Sequence, residues 1–177
     1  ERLLREDAVT YPCDAEDAPG QEVIFAARFP TADGRGRLVA AEVLPPDEEP
    51  DGDYPFILTT GRQLEHWHTG QMTRRSAVLD ALEPEAICEM APGDARRLGL
   101  APGDRVAIES RRGQIRLTLR VSGRTPDGVV FVPFCFAEAA ANLLTNPALD
   151  PFGKIPELKF CAARVSRADA AGAAARP

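Results

Sequence analysis

The sequence is poor in aromatic residues and histidines, and it has no closely spaced cysteines and no long apolar run. Aromatic residues make up 6% of the 177 residues, with one tryptophan, and there are two histidines. The cysteines form no Cys-x-x-Cys pair, which argues against an Fe–S cluster or structural zinc site held by this chain alone. In apolar surroundings, Cys88, Cys135 and Cys161 are expected to be buried free thiols.

The absence of other features narrows the class of protein further. No apolar run is long enough to span a bilayer, so we expect no membrane contact. No signal peptide is visible, and we expect a cytoplasmic location. The chain begins at Glu1 without a methionine, which suggests a piece of a longer polypeptide.

The charge of the chain is acidic overall but unevenly placed. The net charge of −6 argues against binding to nucleic acid. Residues 1–53 hold 14 acidic and 5 basic residues, whereas residues 54–177 hold 13 acidic and 16 basic residues. A site for an anionic ligand is therefore expected in the second part of the chain.

An acidic, proline-rich stretch over residues 44–53 is typical of a linker. We expect residues 1–50 to be the tail of a preceding domain plus this linker, residues 51–167 to be the main domain, and residues 168–177 to be a flexible tail. Within the first part, the runs 22–29 and 37–43 are strand candidates that could form a hairpin closed by Asp33-Gly34.

After the linker, short apolar segments separated by turns predict a mainly β fold with few helices. Strands are expected over residues 56–58, 86–90, 105–110, 115–121, 129–134 and 158–165. A short helix is expected over residues 92–99, because Pro92 suits its first position and Gly99 its C-terminal cap. This pattern is typical of a small closed β-barrel.

The stretch over residues 54–78 is the strongest candidate for a ligand site. Its apolar run ends in Thr59-Thr60-Gly61-Arg62, as expected of a buried strand that leaves the sheet. The residues that follow are dense in hydrogen-bonding groups, and Gly61 and Gly70 let the backbone come close to a ligand. Such a loop could hold a large, planar anion.

Three side chains of this loop allow more than one interpretation. The Arg62 guanidinium suits a phosphate, although a surface ion pair is the alternative. The two histidines, His66 and His68, could bond to a ligand or pack in the interior. A His-x-His pair can also bind metal, but no third or fourth ligand is evident nearby.

A set of motifs, taken in register, resembles one known domain. The motifs are Thr59-Thr60-Gly61-Arg62, Glu65-His66-Trp67-His68-Thr69-Gly70, Met72-Thr73-Arg74-Arg75, Pro92-x-Asp94-Ala95-x-x-Leu98-Gly99, the run from Asn142 to Pro151, and the run from Lys154 to Val165. Together they resemble the C-terminal dinucleotide-binding domain of molybdenum or tungsten formate dehydrogenases, in the dimethyl sulfoxide reductase family. The likeness covers residues 50–167, and residues 1–50 resemble the segment before that domain.

The resemblance implies a double-psi β-barrel with a few short helices, and a ligand, bis-molybdopterin guanine dinucleotide carrying Mo or W. Positions that match cofactor contacts of the family are Thr60, Gly61, Arg62, His66, His68, Thr69, Phe134, Asn142, Leu158 and Lys159. Some family members carry tyrosine where Phe134 and Leu158 stand, so only packing or backbone contacts remain at those two positions. No catalytic residue and no metal ligand is implied within this chain.

For function, the resemblance implies the C-terminal domain of a catalytic (alpha) subunit that oxidises formate to CO2 and passes electrons to Fe–S clusters and NAD+. The Fe–S clusters would lie in upstream domains of the same subunit, electron-transfer subunits would be partners, and this chain alone would be inactive. Alternatives are the same domain of a nitrate reductase or formylmethanofuran dehydrogenase, and a non-enzymatic double-psi barrel that binds a partner. The polar loop over residues 59–75 argues against the last alternative.

Overall fold

The structure, a computed structural model, describes residues 1–168, and its internal contacts divide the chain into two units. The first unit, Glu1–Leu44, contains a 3₁₀ helix at Arg2–Leu4 and no strand. The second unit begins at Pro45 and contains a β-barrel. No helix in the described residues is long and apolar enough to cross a membrane. The tail expected over residues 168–177 lies outside the described residues except for its first position.

The strands and the hairpin expected within residues 22–43 are wrong. A turn does form there, since the Gly34 N–H donates to the Thr31 carbonyl at 3.0 Å and the Phe29 N–H donates to the Gly34 carbonyl at 2.9 Å. Gly34 has a φ of 73°, but Asp33 does not have a positive φ, whereas an Asp-Gly hairpin turn needs one at both positions. The flanking runs therefore do not pair, and an isolated two-stranded ladder would gain little stability.

The barrel of the second unit confirms the predicted mainly β, double-psi fold with a few short helices. Its strands are β1 (Phe56–Gly61), β2 (Ile87–Met90), β3 (Arg105–Glu109), β4 (Gln114–Val121), β5 (Val129–Pro133) and β6 (Cys161–Arg167). Its helices are α1 (Ala77–Leu82) and α2 (Pro92–Arg97), with 3₁₀ turns at Thr73–Arg75, Ala137–Ala139 and Ala141–Leu143. Within residues 1–168 the strands close in the order β1-β5-β2-β4-β3-β6, with β1/β5 and β2/β4 parallel.

The strand β4 shows why the sequence folds into a closed barrel. Ile115, Leu117 and Leu119 alternate with polar residues, and all three are buried in the core. Period-two alternation places one face of a strand inside the barrel and the other outside. The helix α2 likewise follows its predicted signals, since it begins at Pro92, and Gly99 follows its end with a φ of 65°.

Burial fixes the chemical state of the core cysteines. Cys88, Cys135 and Cys161 are buried and free, as expected. Desolvation raises the pKa of Cys88 to about 12 and that of Cys135 to about 11, because a thiolate loses its hydration inside the barrel. These thiols therefore stay protonated at neutral pH and pack as apolar side chains.

Three strand ends meet at one end of the barrel. In the parallel pair β1/β5, Gly61 lies opposite Pro133, so the next residues, Arg62 and Phe134, leave the barrel side by side. The Phe134 N–H donates to the Gly61 carbonyl at 3.1 Å, which extends this pairing. Because β6 runs antiparallel to β1, the segment that enters β6 comes to the same end. The last strand starts at Cys161 rather than at residue 158, which leaves residues 158–160 irregular there.

Candidate functional site

A cavity of about 620 Å³ lies at the end of the barrel where β1 and β5 stop and β6 begins. We call it the barrel-end cavity. Its lining residues are Thr60, Arg62, His68, Thr69, Phe134, Asn142, Leu158 and Lys159. Its volume is within the range of about 300–1,000 Å³ that is usual for small-molecule and cofactor sites. Eight of the ten residues named from the sequence thus line one cavity.

Two hydrogen bonds fasten the segment before β6 to the end of β1. The Thr60 hydroxyl donates to the Leu158 carbonyl at 2.6 Å. In return, the Lys159 ammonium donates to the Thr60 carbonyl at 2.7 Å. The pair of contacts places the Lys159 charge at the cavity wall although its segment belongs to no strand.

One wall of the barrel-end cavity is apolar and partly aromatic. The rings of His68 and Phe134 are tilted against each other with their centroids 5.4 Å apart. The Lys159 ammonium lies 5.8 Å from the centroid of the Phe134 ring, within the range of a cation–π contact. A planar group could therefore pack against this wall while polar groups contact its edges.

The lining of the cavity carries positive charge and no carboxylate. Arg62 and Lys159 are its two fixed cations. Within the described residues the side chains of Arg62, Thr69 and Asn142 make no hydrogen bond, so their donors are free for a ligand. Lys159 uses one donor on Thr60, and an ammonium group has three. An anion with several acceptor oxygens suits this set of donors.

The loop over residues 62–76 reaches the cavity through two unusual backbone conformations. His68 has a φ of 51° and Gly70 has a φ of 74°, both in the left-handed region. A Cβ on Gly70 would lie 2.5 Å from the Cys135 carbonyl oxygen, so only glycine fits this approach. The Trp67 N–H donates to the Thr73 hydroxyl at 3.0 Å. Two residues of this loop, His68 and Thr69, line the cavity.

Arg74 anchors the end of this loop. The sequence did not indicate this role. Its guanidinium bonds to Asp80 at 2.5 Å and to Glu138 at 2.9 Å. It also lies 4.7 Å from the centroid of the Phe136 ring. Since Glu138 lies 64 residues away in the chain, no local pattern indicates this contact.

Two of the ten predicted residues, His66 and Gly61, do not line the cavity. His66 is 1% exposed, and its Nε2 lies 2.8 Å from the Glu83 carbonyl oxygen. Its ring packs edge-on against Phe136. A Cβ on Gly61 would lie 2.3 Å from the Phe131 ring, so Gly61 leaves room for a side chain of the barrel. His66 thus holds the loop from the protein interior, whereas Gly61 allows close packing between β1 and β5.

The two histidines point in different directions, which removes the His-x-His pair as a metal site. His66 is buried, whereas His68 is exposed at the cavity. Among residues 1–168, no group of three or more His, Cys, Asp or Glu side chains could hold a metal ion.

A second cavity, of about 410 Å³, shares Arg62 with the barrel-end cavity but differs in charge. Its other charged lining residues are Glu65, Glu83, Glu89, Arg120 and Arg124. Three arginines thus face three glutamates, and Arg120 bonds to Glu83 at 2.8 Å. An anion would compete with these carboxylates, so the barrel-end cavity is the better anion site.

Comparison with known proteins identifies the family to which the barrel belongs. The family model described as "Molydopterin dinucleotide binding domain" matches residues 56–162. The chain belongs to this family. The match begins at the first residue of β1 and ends within β6, so this molybdopterin dinucleotide-binding domain includes every segment that lines the barrel-end cavity.

Two curated relatives are similar to the domain and to the residues before it. The F420-dependent formate dehydrogenase subunit alpha of Methanocaldococcus jannaschii is 45% identical over 166 residues, which are 94% of this chain. The F420-dependent formate dehydrogenase 1 subunit alpha of Methanococcus maripaludis is 42% identical over 161 residues, or 91% of this chain. The matched stretches are 25% and 24% of these relatives, so the chain spans about a quarter of their length.

A solved structure supports the fold of the molybdopterin dinucleotide-binding domain. Acetylene hydratase from Pelobacter acetylenicus superposes with a TM-score of 0.59 over 65% of this chain and 18% of that chain. The sequences are 22% identical over this match, so the likeness concerns the fold alone.

Proposed function

We propose that the barrel-end cavity binds a nucleotide end of bis-molybdopterin guanine dinucleotide, and that the chain is the C-terminal domain of a formate dehydrogenase catalytic subunit. One observation carries the proposal. Eight residues from separate segments, chosen by their likeness to family contacts, line a single cavity with two cations and no carboxylate. The donor set fits the anionic, hydrogen-bonding end of such a cofactor.

Arg62 and Lys159 would hold the pyrophosphate. The guanidinium of Arg62 can donate two parallel hydrogen bonds to phosphate oxygens. The ammonium of Lys159 is held by the Thr60 carbonyl at 2.7 Å and keeps two donors for the ligand. Lys159 would thus be positioned before the anion arrives, which lowers the entropy lost on binding.

The remaining lining residues would contact the guanine and the ribose. The Asn142 amide offers both a donor and an acceptor, as does the polar edge of a guanine. The Thr60 hydroxyl donates to the Leu158 carbonyl, so its oxygen is left to accept from the ligand. Phe134 and Leu158 would pack on the ligand without side-chain hydrogen bonds. His66 lies outside this set and would act by supporting the loop.

The chain's own contribution would be to bind and orient. When bound, the cofactor would supply the metal, Mo or W, and the redox chemistry that no side chain of this domain provides. The domain's residues would hold the nucleotide end in one orientation and exclude water from the phosphate contacts. Residues 51–167 would form this binding unit, and residues 1–50 would be the tail of the preceding domain plus the acidic, proline-rich linker.

The two formate dehydrogenase relatives support formate as the substrate of the whole enzyme. Their names specify F420, whereas the family resemblance of the sequence implies NAD+ as the acceptor. Formate oxidation by the intact enzyme, assayed in parallel with F420 and with NAD+, identifies the electron acceptor. The same assay tests the alternative functions, because a nitrate reductase or formylmethanofuran dehydrogenase would not oxidise formate. Upstream domains would hold the Fe–S clusters, electron-transfer subunits would be partners, and the location would be cytoplasmic.

Titration of the ¹⁵N-labelled chain with GDP tests the binding site. We expect GDP to shift the NMR signals of Arg62, Asn142 and Lys159, because these side chains have free donors at the cavity. ADP is the control; it should shift Arg62 and Lys159 as GDP does, because it carries the same diphosphate, but it should shift Asn142 less because its base presents a different polar edge. GDP shifts confined to other residues, or an equal shift of Asn142 with ADP, would contradict the proposed guanine site.

A further inference from the structure

One wall of the barrel-end cavity is formed by two segments that belong to no strand. Asn142 lies on a segment that continues to residue 150, and Leu158 and Lys159 lie on the segment over residues 154–160. Isolated loop segments move unless side chains or neighbouring backbone fix them. The position of this wall therefore depends on what joins the two segments.

Glu157 joins them through both of its carboxylate oxygens. Its Oε2 accepts a hydrogen bond at 3.0 Å from the side-chain amide of Asn146. Its Oε1 accepts one at 3.1 Å from the backbone N–H of Asp47. Three chain segments that lie up to 110 residues apart thus meet at one carboxylate.

Backbone contacts complete this junction. The Glu157 N–H donates to the Ala148 carbonyl at 3.0 Å, and the Ala148 N–H donates to the Asn146 side-chain oxygen at 3.0 Å. Asn146 is 9% exposed, so losing its acceptor would leave a buried amide donor without a partner. We call Asp47, Asn146, Ala148 and Glu157 the Glu157 junction.

The Glu157 junction adjoins two of the lining residues in sequence. The residue after Glu157 is Leu158, whose carbonyl accepts the Thr60 hydroxyl, and the next is Lys159, whose ammonium bonds to the Thr60 carbonyl. On the other segment, the Thr145 hydroxyl donates to the Asn142 carbonyl at 3.3 Å. A shift of the Glu157 junction would therefore move donors on both sides of this wall.

We propose that Glu157 is a positioning residue for the barrel-end cavity, which sets the distance between Asn142 and Lys159 without touching the ligand. This inference rests on the proposed function, because it assigns to Glu157 the preorganisation of that same nucleotide site. Truncating the carboxylate removes two hydrogen bonds that involve a charged acceptor. The freed segments would then have to be ordered when the ligand binds, and affinity would fall.

The test measures GDP affinity of the 177-residue chain by isothermal titration calorimetry for wild type, Glu157→Ala and Glu157→Gln. We expect Glu157→Ala to weaken GDP binding about tenfold. We expect Glu157→Gln to have an intermediate effect, since its amide keeps one acceptor and turns an NH₂ toward an N–H donor. The GDP-induced NMR shifts of Asn142 and Lys159 should shrink, whereas that of Arg62 should persist.

Asp104→Ala is the matched control. Like Glu157, Asp104 accepts hydrogen bonds from a backbone N–H, that of Ala101 at 2.8 Å, and from a side chain, that of Arg167 at 2.8 Å. It precedes β3, which contributes no residue to the barrel-end cavity. We expect this variant to lose stability and to bind GDP as wild type does.

The outcomes separate this inference from the function on which it rests. Wild-type affinity in Glu157→Ala, or an equal loss in Asp104→Ala, would overturn the inference and leave the nucleotide site standing. If Glu157→Ala does not fold, wild-type affinity and shifts in Glu157→Gln would overturn it instead. A wild-type chain that fails to bind GDP would overturn the proposed function, and the inference with it.

Discussion

Replacing Gly70 with alanine is expected to lower the free energy of unfolding by about 3 kcal/mol. Its φ of 74° by itself costs an alanine about 1 kcal/mol. The new Cβ would also lie 2.5 Å from the Cys135 carbonyl oxygen, a backbone atom that cannot turn aside like a flexible side chain. Urea denaturation should show the loss, and the melting temperature should fall by about 6–12 °C.

Gly99→Ala is the control that separates the cost of the steric clash from the cost of the left-handed backbone conformation. Gly99 also has a positive φ, 65°, but a Cβ there would meet nothing within 4 Å. We expect this variant to lose only about 1 kcal/mol. Equal losses at Gly70 and Gly99 would contradict the close approach of the loop to the segment after β5. The larger loss at Gly70 should be accompanied by weaker GDP binding, since His68 and Thr69 lie on the same loop.

Replacing Arg62 with alanine in the intact catalytic subunit is expected to reduce cofactor content about tenfold or more. A hydrogen bond between charged groups contributes about 1.5–3 kcal/mol, and each 1.4 kcal/mol changes affinity tenfold. Metal analysis and release of GMP from the purified subunit measure the content. Arg62→Lys should give an intermediate content, because it keeps the charge but loses the planar pair of donors.

Arg96→Ala is the matched control for Arg62. Arg96 is also an exposed arginine, but it lies in α2 and does not line the barrel-end cavity. This variant should keep the wild-type content of metal and GMP and the full activity. Normal metal occupancy and full activity in Arg62→Ala would contradict the assignment of Arg62 to the cofactor.

Much of the fold could be predicted because its signals are local. The alternation of Ile115, Leu117 and Leu119 depends on the period of a strand and on burial of one face. Pro92 and Gly99 mark the ends of α2 through their own backbone preferences. The hairpin near Asp33 was wrong because strand pairing also needs a turn of the right geometry and a surface to pack on.

The candidate site was only partly predictable, because it depends on the direction in which each side chain points and on contacts between residues far apart in the sequence. His66 and His68 stand two residues apart with the same chemistry, yet one is buried at Glu83 and the other lines the cavity. Between them the backbone becomes left-handed at His68, and the sequence gives no sign of this conformation. The role of Glu157 could not be predicted either, since the partners of its carboxylate lie 11 and 110 residues away in the chain.

An experimental structure of the intact catalytic subunit with its cofactor tests the central claim most directly. We predict that a pyrophosphate oxygen lies about 3 Å from the Arg62 guanidinium and from the Lys159 ammonium, and that the guanine lies within reach of Asn142. A cofactor whose two nucleotide ends both lie outside the barrel-end cavity would contradict the account.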